Sequence, residues 1–423
     1  MGRIVLAIAL LGAGACANAE SRTVIVLGPW TGTEETDFRR VLARFTAVSG
    51  IDVDYRGTRA VEQVLAHDLQ RGAPPDVAVL PNPGILAAYA RRSELRPLND
   101  VVGDQSGSYS PQWLRLQEVG QDQRFAVAVK VDVKGAFWYR TENPGEVRPP
   151  DTWGDLVALS ERMIAAGHTP WCLGMGSPPT SGWPGTDWIE VILLRSAGAE
   201  AYREWASGKR DWTSTRDAWA TWGALVTKPG AVRGGTRAAL LTDFGDAGKH
   251  MFTSPPGCLM EHRAASSAVT GYQAMQADEM AQGQGVDFFQ MPGATTLSVS
   301  ADLAGMFSDS HEAKELIRFL ASDGGQRAWP ELSGGTVFSA NSNVTDVYDD
   351  NPITRRIAVK LNSDPLCFDA SDLMPTQMTE AFHRAVLEYL HDPTRLDRIL
   401  ADLDKVRESL SASDQWLDTP CGQ

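Results

Sequence analysis

The residues best suited to chemistry in this chain are a tryptophan and an aspartate four positions apart. Trp183 stands between Gly182 and Pro184-Gly185, within Ser181-Gly-Trp-Pro-Gly-Thr-Asp-Trp188. A large ring flanked in this way has little helical or strand role, and a flat aromatic face suits the apolar face of a pyranose ring. Asp187 can accept bonds from ligand hydroxyls, or it can cap a helix that begins near Trp188. The chain holds thirteen tryptophans, nine of them between Trp138 and Trp222. Core packing seldom needs so many, although most single tryptophans are core. Gly335-Thr336 can present backbone N–H groups to a ligand or form a plain turn.

Motifs for bond-making chemistry are missing. The sequence has no Gly-x-Ser-x-Gly elbow, no His-Glu-x-x-His, no Gly-x-x-x-x-Gly-Lys phosphate loop and no Gly-x-Gly-x-x-Gly after a strand. His311-Glu312 lacks a second histidine four residues on, and no two cysteines form Cys-x-x-Cys. Among 53 acidic residues some pair falls at glycosidase spacing by chance, so a glycoside hydrolase stays open as an alternative. A soluble glycan-binding lectin is a third class. The reading favoured here is not an enzyme and needs no cofactor.

The N-terminus points to export. Arg3 precedes an apolar run over residues 4–11 and then Gly12-Ala-Gly-Ala-Cys16, the layout of a signal peptide over residues 1–19. Cys16 after small residues resembles a lipoprotein processing site, with Ala13 where leucine is usual; cleavage after Ala17-Asn-Ala19 would discard it. Either product keeps Cys172, Cys258, Cys367 and Cys421, and an even number in an exported chain suggests two disulfides. A formal charge of −14 argues against nucleic acid or an anionic membrane surface as partner.

The elements that must position these residues alternate. A buried strand over residues 23–28 is followed by a helical pattern with Phe38, Val41, Leu42, Phe45 and Val48 on one face. A strand over 51–55, a helix with Val61, Val64, Leu65 and Leu69, a strand over 77–80 and a helix over 84–92 follow. Such alternation predicts a parallel sheet with helices on both faces, and ligands then sit beyond the carboxyl ends of strands. That rule selects Trp30, Thr31 and Glu34 after the first strand and Asn82 after the third.

Residues 125–140, Phe-Ala-Val-Ala-Val-Lys-Val-Asp-Val-Lys-Gly-Ala-Phe-Trp-Tyr-Arg, precede Pro149-Pro-Asp-Thr-Trp-Gly-Asp-Leu156. Together they resemble the inter-domain crossover of the maltose-binding-like extracellular solute-binding proteins. Thr169-Pro-Trp-Cys172, the Trp183 segment and Gly257-Cys-Leu-Met-Glu-His262 are similar to the branch that serves α-glucoside importers. Phe288-Phe-Gln-Met-Pro292, the helical pattern over 312–321, Leu332-Ser-Gly-Gly-Thr336 and Leu373-Met-Pro375 complete the ordered set.

The resemblance implies a periplasmic-binding-protein-like α/β fold, two α/β lobes joined by hinge strands with the ligand cleft between them. It implies residues 20–130 with 264–304 as lobe one and 131–263 with 305–423 as lobe two. On that map Cys172 pairs with Cys258 and Cys367 with Cys421, all within lobe two. It further implies polar ligand contacts from Lys130 and Asp132 in the crossover, His262 and Arg263 after the Cys258 strand, and His383 near a C-terminal contact. Maltose binders carry tryptophan where this chain has Ala264, Ala265 and Ser266, a departure that bears on which sugar is taken. The expected ligand is a small carbohydrate, an α-glucoside di- or oligosaccharide. The expected partner is an ABC permease, with the protein itself a monomer outside the cytoplasm, lipid-anchored or released.

Overall fold

The computed structural model describes residues 22–142, 147–273, 275, 285–411, 416–418 and 421–422. The expected signal segment and Cys16 lie outside the described residues.

Two sheets organise the chain. The larger has seven strands: β1 (Thr23–Gly28), β2 (Asp52–Gly57), β3 (Val77–Leu80), β4 (Ala126–Val133), β9 (Leu297–Met306), β10 (Leu366–Phe368) and β11 (Cys421–Gly422). Its order is β11-β10-β9-β3-β1-β2, with β4 on the other side of β9. β1 runs parallel to β2 and β3, as the alternating pattern predicts, and β9 is antiparallel to β3 and β4. The smaller sheet has the order β6-β7-β5-β8, from β5 (Ala136–Arg140), β6 (Trp171–Cys172), β7 (Met260–His262) and β8 (Val286–Gln290).

The first helix, Thr33–Ser49, buries Phe38, Val41, Leu42 and Phe45, but Val48 in its last turn is 76% exposed. A buried side chain of this size contributes about 1.5–3 kcal/mol. Pro150-Asp-Thr152 leads into the helix Trp153–Ala165. Thr152 accepts from the Asp155 N–H and the Asp155 carboxylate accepts from the Thr152 N–H, a reciprocal cap.

The lobe boundaries differ from the expected map. The helices His311–Ala321 and Asp323–Leu332 bury Leu316, Ile317, Leu320 and Trp329 in the same core as Phe38 and Val24, on the larger sheet. The helix Pro352–Ser363 packs on β4 and β9. Conversely β8, expected in lobe one, pairs along β5 in the smaller sheet. An apolar stripe specifies that a helix face is buried, not which of two sheets buries it. The chain returns to the smaller lobe with Thr376–His391 and Leu396–Ser409, whose Phe382, Val386 and Ile399 share a core with Trp205, Trp212 and Trp219.

Both expected disulfides form, Cys172–Cys258 and Cys367–Cys421. The first holds the end of β6 to the segment entering β7. The second links β10 to β11 at the edge of the larger sheet, not inside the smaller lobe. Neither joins one sheet to the other. Closing chain segments of 86 and 54 residues is worth about 4–5 kcal/mol each in the chain-entropy estimate.

Candidate functional site

Among the passages between the lobes are β4 to β5 through Lys134-Gly135, β7 to the helix Ala265–Gln273, and β8 to β9. Beside the first two opens a narrow pocket, with about 20 Å³ of room for water-sized spheres, lined by Leu173, Trp183, Asp187, Phe244, His262 and Arg263 among others.

Trp183 is the first residue of the helix Trp183–Ala206 and is half-buried. Its ring meets Phe244 edge to face at 4.9 Å, and the Lys134 ammonium stands 4.9 Å from the ring centroid. The backbone before it is left-handed, with φ 109° at Gly182, so the Gly-Pro setting read in the sequence is a helix entry. Because that helix starts at Trp183, Asp187 lies inside it and caps nothing. The Asp187 carboxylate instead accepts from Lys134 Nζ at 3.1 and 3.2 Å. Burial pushes the Asp187 carboxyl well above its usual range, against the pull of Lys134.

His262, 8% exposed, sits between Phe137 at 4.9 Å and Trp188 at 4.4 Å. Burial, helped by the Lys134 charge, pushes its pKa down to about 3, so the imidazole is neutral near pH 7. Its Nε2 has no hydrogen-bond partner among the described residues. Arg263 is 9% exposed; its Nε donates to Ser267 Oγ at 3.0 Å and its guanidinium lies 5.5 Å from the Phe244 ring. Nη1 has no hydrogen bond among the described residues, with Glu261 3.9 Å away. Two buried polar atoms thus line one pocket with unused bonding capacity, a costly arrangement without a ligand or water.

The larger lobe contributes a second set. Lys130 Nζ pairs with Glu34 at 2.8 Å. Burial raises the Glu34 carboxyl, but Lys130 outweighs it and Arg59 and Arg263 add to the pull, so the net shift is downward. Asp132 accepts from the Ser266 N–H at 2.9 Å and from the Ser266 hydroxyl, tying the first crossover to the second. Burial pushes Asp302 up to about 6, and it accepts from Trp30 Nε1 at 3.3 Å.

Other expected contacts fall elsewhere. Trp30 is 3% exposed and packs on Phe38 at 4.6 Å and Trp329 at 4.5 Å, so it is core and offers no stacking face. Thr31 is half-buried just ahead of the first helix. Asn82 caps the helix Pro83–Arg91 by accepting from the Ile85 N–H at 3.3 Å. Gly335-Thr336 is the plain turn: the Gly335 N–H donates to Pro330 O at 2.7 Å and Thr336 Oγ1 to Ser333 O at 3.2 Å. His383 lies on Thr376–His391 with its carbonyl against Gly182; burial holds its pKa at about 4. Of the nine tryptophans from Trp138 to Trp222, only Trp183 lines the pocket, while Trp138, Trp171, Trp188, Trp205, Trp212, Trp219 and Trp222 are fully buried.

Lys134, Phe244 and Asp369 escaped the sequence reading. Lys134 does leave a trace, since Lys130, Asp132 and Lys134 alternate along an otherwise apolar strand and its exit, and period two puts them on one face. Phe244 and Asp369 reach the site through tertiary folding alone.

The sequence profile of the bacterial extracellular solute-binding proteins matches residues 31–327. The alpha-glucosides-binding periplasmic protein AglE of Rhizobium meliloti is 31% identical over 413 residues, 93% of this chain and 88% of that protein. The osmoprotective compounds-binding protein GgtB of Synechocystis sp. is 32% identical over 395 residues, 90% of this chain and 91% of that one. The fold is similar to that of the solute receptor AcbH, with a TM-score of 0.77 at 13% identity over 92% of this chain and 99% of that one. It is also similar to maltose-bound MalE3 of T. maritima, with a TM-score of 0.70 at 17% identity over 92% and 99%.

Proposed function

This chain belongs to the bacterial extracellular solute-binding proteins, and from that premise we propose that it captures a small α-glucoside between its lobes and delivers it to an ABC permease. The observation that carries the reading is the convergence of the Trp183 ring, His262 Nε2 and Arg263 Nη1 on one pocket at the lobe junction. The ring supplies an apolar face, Arg263 a charged donor, and the neutral imidazole an acceptor or donor by tautomer. These are the functions a sugar ring with equatorial hydroxyls uses. AglE, named for binding alpha-glucosides, supports the substrate class.

Capture needs no bond to be made or broken. Trp183, Asp187, His262 and Arg263 belong to the smaller lobe, while Glu34, Lys130 and Asp132 belong to the larger. A ligand touching both binds the closed arrangement better and shifts the population toward it. The protein works outside the cytoplasm, and among the described residues no helix is long and apolar enough to cross a membrane.

A small osmoprotective solute is the second reading, favoured by the equal likeness to GgtB. Calorimetry against α-linked di- and trisaccharides, galactosides and osmoprotective solutes separates the two. Tight binding confined to α-glucosides supports the first reading; binding only of osmoprotective solutes replaces it. Recovery of the bound saccharide unchanged is expected, and its cleavage would move the protein among the glycoside hydrolases.

A further inference from the structure

We propose that Lys134 is a positioning residue of the ligand site: from the hinge, its ammonium fixes the ring plane of Trp183 and the carboxylate of Asp187 without itself meeting the ligand. This rests on the reading of Trp183 as the stacking face.

The residue stands where the chain leaves one sheet for the other. Its N–H donates to Ser298 O at 2.8 Å on β9, and Gly135 follows at φ 73°. A Cβ at Gly135 would meet Val191 Cγ1 at 2.7 Å, so the crossover runs hard against the helix Trp183–Ala206. The Lys134 side chain is 11% exposed, and burial works against its charge. Asp187 and Asp369 overcome that and hold it protonated well above the usual lysine range. Asp369 is itself fixed, as the cap of the helix Ala370–Leu373 and two residues beyond the disulfide-bonded Cys367.

An ammonium has three protons. It donates to the Asp187 oxygens at 3.1 and 3.2 Å, and Asp369 Oδ2 faces it as an ion pair at 3.4 Å. Two carboxylates thus enclose the ammonium, and Lys134 is not among the residues that line the pocket. The positive charge nonetheless stands 4.9 Å from the Trp183 ring, within the range where a ring's quadrupole attracts a cation, and desolvation strengthens that attraction. Three elements therefore converge on one cation, and the ring inherits its orientation from the hinge. Any lobe rotation that turns about Lys134-Gly135 moves the stacking face with it.

Two measurements test this. In the unliganded protein, the emission of Trp183 is isolated as the difference between chains with and without Trp183→Phe. Its quenching by acrylamide should rise at least about twofold in Lys134→Met/Asp369→Asn, in which the removed cation is matched by a removed carboxylate. Lys134→Gln, a milder change, should raise it in the same direction. Quenching unchanged in both overturns the proposal, and it does so whether or not any sugar binds. With a bound saccharide, the double variant should weaken binding about tenfold when Trp183 is present and less than about twofold when Trp183→Ala is already in place, because residues acting as a unit are not additive. Equal losses in the two backgrounds overturn it. If no saccharide binds the unmodified chain, the α-glucoside reading fails while the quenching result still decides the role of Lys134.

Discussion

The backbone carbonyl of His383 lies against Gly182 where a Cβ would have to go, and Gly182 holds φ 109° one residue before the pocket tryptophan. The helix Thr376–His391 therefore sets the entry angle of Trp183, about two hundred residues away in sequence. Gly182→Ala should suffer twice, from strain in a left-handed backbone and from the clash with main chain. We expect a loss of about 1–3 kcal/mol in unfolding free energy, with saccharide affinity falling as well. Urea melts with and without ligand check this; a variant as stable as the unmodified chain would show that the helix entry relaxes freely.

His262 should imprint on the pH dependence of stability. Its folded pKa is depressed to about 3 from 6.5. Below pH 6.5 the unfolded chain binds a proton that the folded chain refuses, so stability present above pH 6.5 is lost as pH falls toward 3. The slope reaches at most about 1.4 kcal/mol per pH unit. Asp302, pushed up to about 6, acts in the opposite sense, so the comparison must be between chains. His262→Gln should flatten the fall between pH 6.5 and 4.5. Parallel profiles for the two chains would mean that the imidazole protonates in place.

The mature protein should present no free thiol apart from Cys16 where that residue is kept. A maleimide applied to denatured, unreduced protein should leave Cys172, Cys258, Cys367 and Cys421 unlabelled, and labelling of all four would contradict both bonds. Cys367→Ser/Cys421→Ser should cost about 2–4 kcal/mol, because the bond ties the short strand β11 to its sheet partner β10.

Much of this architecture was legible as pattern. Strand and helix alternation over residues 23–92 yielded β1 to β3 and the parallel pairing of β1 with both. The site was legible only in part. Trp183, His262 and Arg263 line one pocket with Asp187. Lys130 and Asp132, read as ligand contacts, are satisfied by Glu34 and Ser266. The tryptophan count misled, because six of the nine rings fill the core that the smaller sheet and its helices enclose and Trp138 is buried in the neighbouring core. Trp30 and Asn82 do follow strand ends, as the rule for parallel sheets requires, but one is core and the other a helix cap. Sequence spacing reports which residues leave a strand; which way they then face depends on helices that arrive hundreds of residues later. The same reason hid Asp369, whose meeting with Lys134 spans more than half of the chain.

The central claim, that Trp183 is a ligand-stacking face at the lobe junction, is tested most directly by thermal unfolding of the unmodified chain and Trp183→Ala, each with and without an α-glucoside. At a hundred times its dissociation constant the ligand should stabilise the unmodified chain by about 2.7 kcal/mol. Losing the stacking face should weaken binding by about 1–3 kcal/mol, one to two decades in affinity, so the ligand shift of Trp183→Ala should nearly vanish while its unliganded midpoint holds. A fallen unliganded midpoint with an undiminished ligand shift would make Trp183 a core residue, like its seven buried neighbours, and would contradict the account.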